Sequence, residues 1–152
     1  LDAFIVRPFN NYGPRQNAKP PLAAVIPVTM FNLINNNPPE IWGDGLQSRD
    51  FIYVHDTVDA IIKVYDKLAP KESVNISTDG QITIKEVIED ICSIMQGMGY
   101  NINNTIYKPA RKADVECHIA SNKKIKSLIN YQLTDFTHGL GETISWYQKK
   151  LK

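Results

Sequence analysis

Two arginines stand where paired positive charge would matter. Arg49 opens a β-type segment directly after the turn Gly43-Asp44-Gly45, and Arg111, near Pro109, precedes a short strand. A guanidinium at a strand mouth beside a glycine turn offers a fork of donors suited to a phosphate. Asn10 and Asn11 follow the apolar segment around Phe4-Ile5-Val6. At the carboxyl end of a parallel strand, polar side chains face the crevice in which α/β proteins bind ligands. The same residues also have plainer readings: solvated or ion-paired arginines, and an asparagine-rich turn.

Other chemistries are missing. Gly43-Asp44-Gly45 and Gly97-Met98-Gly99 both lack the third glycine and the strand–helix setting of a dinucleotide loop. No P-loop, H-E-x-x-H or G-x-S-x-G occurs. His55, His118 and His138 are scattered, and Cys92 and Cys117 have no partner at metal-ligand spacing, so no metal is expected. Two ordinary reduced thiols fit a cytoplasmic protein.

The elements that would position these residues read as α/β. Segment 3–9 predicts a buried strand, ended by the turn-rich run Asn10–Pro14. Residues 22–35 predict a helix whose regular part starts near Pro27. Short strands are expected at 40–42 and 49–54, the latter half-buried by its alternation. A helix capped by Asp56 should turn Val58, Ile61, Ile62, Tyr65 and Leu68 inward. A strand at 73–77 precedes a capping box, Thr83 with Glu86, opening a helix that buries Val87, Ile88, Ile91 and Met95. A strand at 104–108, a small helix capped by Ser121 and a last helix from about Thr134 complete the chain. That last helix would carry Phe136, Leu140, Ile144, Tyr147 and Leu151 on one stripe. Two strands are expected to be buried on both faces and the others to be short and peripheral. The sheet is thus parallel but incomplete, too thin for a whole doubly wound domain.

With 152 residues, 43% of them hydrophobic, the chain can build one domain over 1–152. A charged fraction of 22% and a net charge of +1 give no electrostatic reason for nucleic acid or an anionic membrane as partner. No apolar run approaches the ~18 residues of a membrane span, and the first residues resemble no export signal. The chain opens with Leu1 and runs almost at once into a strand that needs neighbours on its edges. That suggests a piece of something longer.

Four segments, in order, carry a resemblance. Arg7-Pro8-Phe9-Asn10-Asn11-Tyr12-Gly13-Pro14 resembles the R-x-x-N-x-Y-G-P segment of extended short-chain dehydrogenase/reductases acting on nucleotide sugars. Gly43-Asp44-Gly45 followed by Arg49-Asp50-Phe51-Ile52-Tyr53-Val54 and Asp56 resembles a second family motif. Arg111-Lys112-Ala113-Asp114 resembles its R-x-x-D, and Thr134–Trp146 its closing helix. The resemblance implies the substrate-binding C-terminal portion of an NAD-dependent sugar-nucleotide 4-epimerase or dehydratase, with the last strands of its Rossmann sheet. In such enzymes a transient 4-keto sugar forms by hydride loss to NAD.

The resemblance also implies roles. Asn10, Arg49 and Arg111 would hold the substrate's diphosphate with Phe51 beneath, and Asp114 a ribose hydroxyl. Val25 and Ile26 would supply backbone contacts around the nucleoside, while Glu40 and Trp42 would hold the base. Pro8, Phe9 and Asn11 would lie against the nicotinamide end of NAD. The family's glycine-rich loop and its Tyr-x-x-x-Lys pair have no counterpart here, so no catalytic residue is expected on this chain. Alone it should be inactive and bind NAD weakly or not at all. The alternatives are a non-catalytic nucleotide-binding or interaction module, and one half of a split enzyme. Both expect the open strand edge near residues 3–9 to drive homodimerisation or pairing with a missing N-terminal half.

Overall fold

The computed structural model describes residues 2–18, 24–112 and 114–151, the last without its side chain. Leu22 and Ala23, assigned above to the first helix, and the side chain of Leu151, assigned to the last stripe, lie outside that description. The first half runs β1 (Ile5–Pro8), β2 (Asn10–Tyr12), α1 (Val25–Ile34), β3 (Glu40–Trp42), β4 (Ser48–Arg49), β5 (Phe51–Tyr53) and α2 (Val54–Val64). The second runs β6 (Ser73–Ile76), β7 (Ile82–Thr83), α3 (Ile84–Gly97), β8 (Ile106–Lys108), β9 (Cys117–His118), α4 (Lys123–Leu128) and α5 (Phe136–Leu151).

The strands form thin sheets. β1 pairs with β6, β2 with β5 and β3 with β8, each in parallel. β4 lies between antiparallel β7 and parallel β9. The α/β class with an incomplete parallel sheet is therefore what the chain adopts. In β1, Ile5 and Phe9 donate their amides to Glu72 and Ile76, so Pro8 sits on the opposite parity, where its missing N–H costs the pair nothing.

One apolar cluster lies where α1, α3 and α5 close over β2 and β5, with Met30, Leu33, Ile91, Met95, Leu140 and Ile144 fully buried. The capping box is present: Thr83 Oγ1 accepts from the Glu86 amide, and the Glu86 carboxylate accepts from the Thr83 amide. α5 approaches β2 so closely that a Cβ on Gly139 would sit 2.6 Å from the Tyr12 hydroxyl. Only glycine fits there. A second cluster, with Ile52, Ala60, Val64, Val74, Ile76 and Ile125 buried, lies between α2, α4 and β6.

Several expectations are corrected. β1 is mostly exposed, with Ile5 59% accessible, because β6 alone flanks it among the described residues. Asn10–Tyr12 is a strand and not a turn, since pairing with β5 overrides its turn-prone composition. Segment 49–54 is no single half-buried strand. The chain changes sheets at the fully buried Asp50, and Phe51–Tyr53 is buried throughout. α2 starts at Val54 with Tyr53 as its N-cap. The Asp56 carboxylate instead accepts from the amide and hydroxyl of Thr134, at 2.8 and 2.7 Å. The face of α2 that packs is Thr57, Ala60 and Val64, with Leu68 beyond it, while Val58, Ile61, Ile62 and Tyr65 face outward. Asn122, not Ser121, is the N-cap residue of α4, and its side-chain amide donates to Ser77 and Thr78 carbonyls. α5 begins at Phe136, and the Asp135 carboxylate accepts from the His138 amide in its first turn.

Candidate functional site

The parallel pair β2–β5 ends at a cavity of about 430 Å³. Its walls come from six separate stretches: β2 and the turn after it, the start of α1, β3, the β4–β5 crossing, the start of α3 and the segment after β8. Asn10, Val25, Ile26, Glu40, Trp42, Arg49, Phe51, Arg111 and Asp114 all line it, as does Asn11. Tyr12, Gln16, Thr29 and Gln47 also line it and were missed. Gln47 sits just past the glycine turn, a position that could have flagged it; nothing in the local pattern singles out Thr29.

Asp50 sets the geometry of the cationic wall. Its buried carboxylate accepts from the Thr78 amide and hydroxyl at 2.8 and 2.7 Å, and from the amides of Asp79 at 3.2 Å and Ala120 at 3.4 Å. These donors satisfy the buried carboxylate oxygens. Asp50 pins the point where β4 gives way to β5, which turns Arg49 and Phe51 toward the cavity. Asn10 donates from Nδ2 to the Asp50 carbonyl at 3.1 Å, so the asparagine is held by the same crossing.

Arg49 donates to the carbonyls of Val115 at 2.6 Å and Ser48 at 2.8 Å, and it forms an ion pair with Asp114. The ion-paired reading of Arg49 therefore holds in this state, inside the cavity wall. The Arg111 guanidinium lies over the Trp42 indole, 4.7 Å from its centre, and Lys108 Nζ lies 5.3 Å from the same ring. Lys108 also bonds the Glu40 carboxylate at 2.7 Å across the β3–β8 pair. Opposite these groups, α1 starts without a side-chain cap, so the first-turn amides of Val25 and Ile26 have no intrahelical acceptor. The positive end of the helix dipole adds to the field that an anion would meet.

Tyr12 closes the floor. Burial, and then the charge of Asp56, push its phenol far above the ordinary value, and its hydroxyl donates to the Phe136 carbonyl at 3.2 Å. It is a neutral wall and not a base. The cavity thus offers cations, open amides and a flat indole, which is binding chemistry.

The three residues expected at the nicotinamide do not assemble. Pro8 and Phe9 lie off the cavity, and the Phe9 ring packs on His118 with centroids 4.9 Å apart. Asn11 does reach the cavity, yet its Nδ2 donates to the Phe9 carbonyl and its Oδ1 accepts from Thr57. Pro8, Phe9 and Asn11 thus do not line one common pocket. Among the described residues no cluster of His, Cys, Asp and Glu could hold a metal, and no helix is long and apolar enough to cross a membrane.

Comparison with known proteins gives consistent matches. A family model described as "NAD dependent epimerase/dehydratase family" matches residues 1–77. The UDP-N-acetyl-alpha-D-glucosaminuronate decarboxylase of Bacillus cytotoxicus is 31% identical, over 98% of this chain and 47% of that protein. Among solved structures, UDP-glucose 4-epimerase of Thermotoga maritima with UDP-glucose superposes with a TM-score of 0.88 at 29% identity, covering 98% of this chain and 47% of that one. The dTDP-glucose 4,6-dehydratase of Bacillus anthracis, in complex with NAD, gives a TM-score of 0.83 at 28% identity, over 96% and 44%. The chain spans about half the length of these relatives and corresponds to their C-terminal portion.

Proposed function

The chain belongs to the NAD dependent epimerase/dehydratase family, and we propose that it is the nucleotide-sugar-binding portion of a sugar-nucleotide 4-epimerase or dehydratase. The observation that carries this reading is convergence: Asn10, Arg49 and Arg111, from three distant stretches, line one cavity. Two guanidiniums and an amide suit a diphosphate, each charge-assisted bond contributing about 1.5–3 kcal/mol. The indole of Trp42 suits a base, Asp114 a ribose hydroxyl, and the open amides of Val25 and Ile26 further acceptors of the nucleoside. Fixing the nucleotide in this way would leave the sugar to be presented to the chemistry.

NAD and the proton-transfer groups would belong to the portion of the relatives that this chain does not match. The outward apolar face of α2, beside the accessible Ile5, supports that division, because apolar area of this kind is normally covered. It equally favours the second reading, a separately made half that pairs with its complement.

Calorimetric titration with UDP tests the first reading. Binding is expected, and Arg49→Ala should weaken it by ~2 kcal/mol or more, the range for truncating one partner of a buried charge pair. Unchanged affinity would remove Arg49 from the site. The chain alone should give no turnover with UDP-sugars and NAD, and epimerisation by this polypeptide would refute the division of labour.

A further inference from the structure

Of the described residues that line the cavity, two are acidic, Glu40 and Asp114. Asp114 is already occupied by Arg49 and Gln47. Glu40 takes no part in that group. It stands two residues before Trp42 in β3, so both side chains leave the same face of the strand. Lys108 of β8 bonds Glu40 Oε1 at 2.7 Å and also lies over the Trp42 ring, which holds the carboxylate beside the indole. The side chains of Glu40 and Lys108 are 27% and 36% exposed, so the pair is partly withdrawn from water. The second carboxylate oxygen is not part of that bond.

Resting on the nucleotide-sugar reading of the cavity, we propose that the Glu40 side chain makes guanine the preferred base, so that the substrate class is a guanosine diphosphate sugar. A stack on Trp42 and Arg111 does not choose among bases, because every base has a flat face. The edge chooses. A carboxylate held by an ammonium group can only accept hydrogen bonds. Guanine turns its N1–H and its N2 amino group outward side by side, and two adjacent donors match one carboxylate. Uracil and thymine offer a single N3–H between two carbonyl oxygens, which meet the carboxylate as like partial charges. Adenine and cytosine offer an amino group beside an unprotonated ring nitrogen. Guanine alone among these puts two donors next to each other. The discrimination arises because the other bases leave a partly buried acceptor unpaired. Lys108 offsets the charge of Glu40 while leaving its second oxygen to the ligand.

Calorimetry of the chain with GDP and with UDP, at one ionic strength, tests the assignment. GDP should bind about tenfold more tightly or better, the scale of one added charge-assisted bond. Glu40→Gln keeps the shape but offers one donor and one acceptor, the pattern of uracil's N3–H and O4. The preference for GDP over UDP should then drop about tenfold or more. Asp59→Asn removes an exposed acid on α2, outside the cavity, and should leave that preference within about twofold. UDP binding the unaltered chain as tightly as GDP overturns the proposal, whether or not the variant folds. So does a Glu40→Gln chain whose preference is unchanged, through lowering both nucleotides alike or neither. If both nucleotides bind and Arg49→Ala weakens both, the cavity reading survives that failure. If neither binds, or both bind Arg49→Ala as well as the wild type, the two readings fall together.

Discussion

The cavity backs onto an apolar cluster closed over by three helices, whereas α2 buries one face on the second cluster and leaves another apolar face exposed. Around the first, α1, α3 and α5 bury Met30, Ile91 and Ile144 completely. Around the second, α2 packs through the small residues Thr57 and Ala60 together with Val64, and turns its larger side chains outward, with Ile62 69% exposed. Burial follows from which face meets a neighbour, so an amphipathic pattern with two apolar stripes does not choose between them. The cluster behind the cavity buries its large side chains, and α2 leaves several of its own exposed.

Alkaline pH should loosen the first cluster earliest, since burial pushes Tyr131, the phenol packed on the second, higher than Tyr53 or Tyr147. Tyr12, Tyr53 and Tyr147 all serve the first cluster, and burial raises each phenol from its ordinary 10.0, Tyr53 and Tyr147 to about 12. A phenol raised on folding contributes fully below pH 10 and loses that contribution as pH climbs through its folded value, so stability should fall between 10 and 12. Circular dichroism and tyrosinate absorbance should then change together in that window. Those phenols ionising near 10 with helices intact would break the comparison.

Next in size, Ile91→Ala should cost about 2–5 kcal/mol in urea denaturation, while Ile62→Ala should stay within about 0.5 kcal/mol. Equal losses would mean that the α2 face is not open in solution. Removing the cap with Thr83→Ala should cost about 1 kcal/mol, through the start of α3 alone. Smallest in stability, Ile62→Lys should barely move the midpoint, yet it should reduce any concentration-dependent association seen by sedimentation. Association that ignores this change would shift attention to the β1 edge.

Much of the first region was legible in the sequence. The Thr83–Glu86 box and the inward set Val87, Ile88, Ile91 and Met95 need only local spacing, and all are where the pattern puts them. The ordered motifs also carry six residues that line one cavity, Asn10, Asn11, Arg49, Phe51, Arg111 and Asp114, because a family pattern encodes tertiary neighbours that periodicity does not. The misreadings share one physical reason, dependence on partners distant in the chain. Whether Asn10–Tyr12 is turn or strand depends on β5, and whether Asp56 caps its own helix depends on Thr134, far along the chain. Pro8 and Phe9, named from the motif alone, lie off the cavity.

The grip of Asp56 on Thr134 makes a rigid link out of two elements that otherwise serve different clusters. With two charge-assisted bonds spanning it, the first turn of α2 cannot slide without dragging the approach to α5. α5 in turn holds the cavity rim, through Tyr147 donating to the Gln16 carbonyl and Tyr12 donating to that of Phe136. The stretch that Asp56 holds is thus continuous with the one whose bonds keep Tyr12 and Gln16 at the cavity wall.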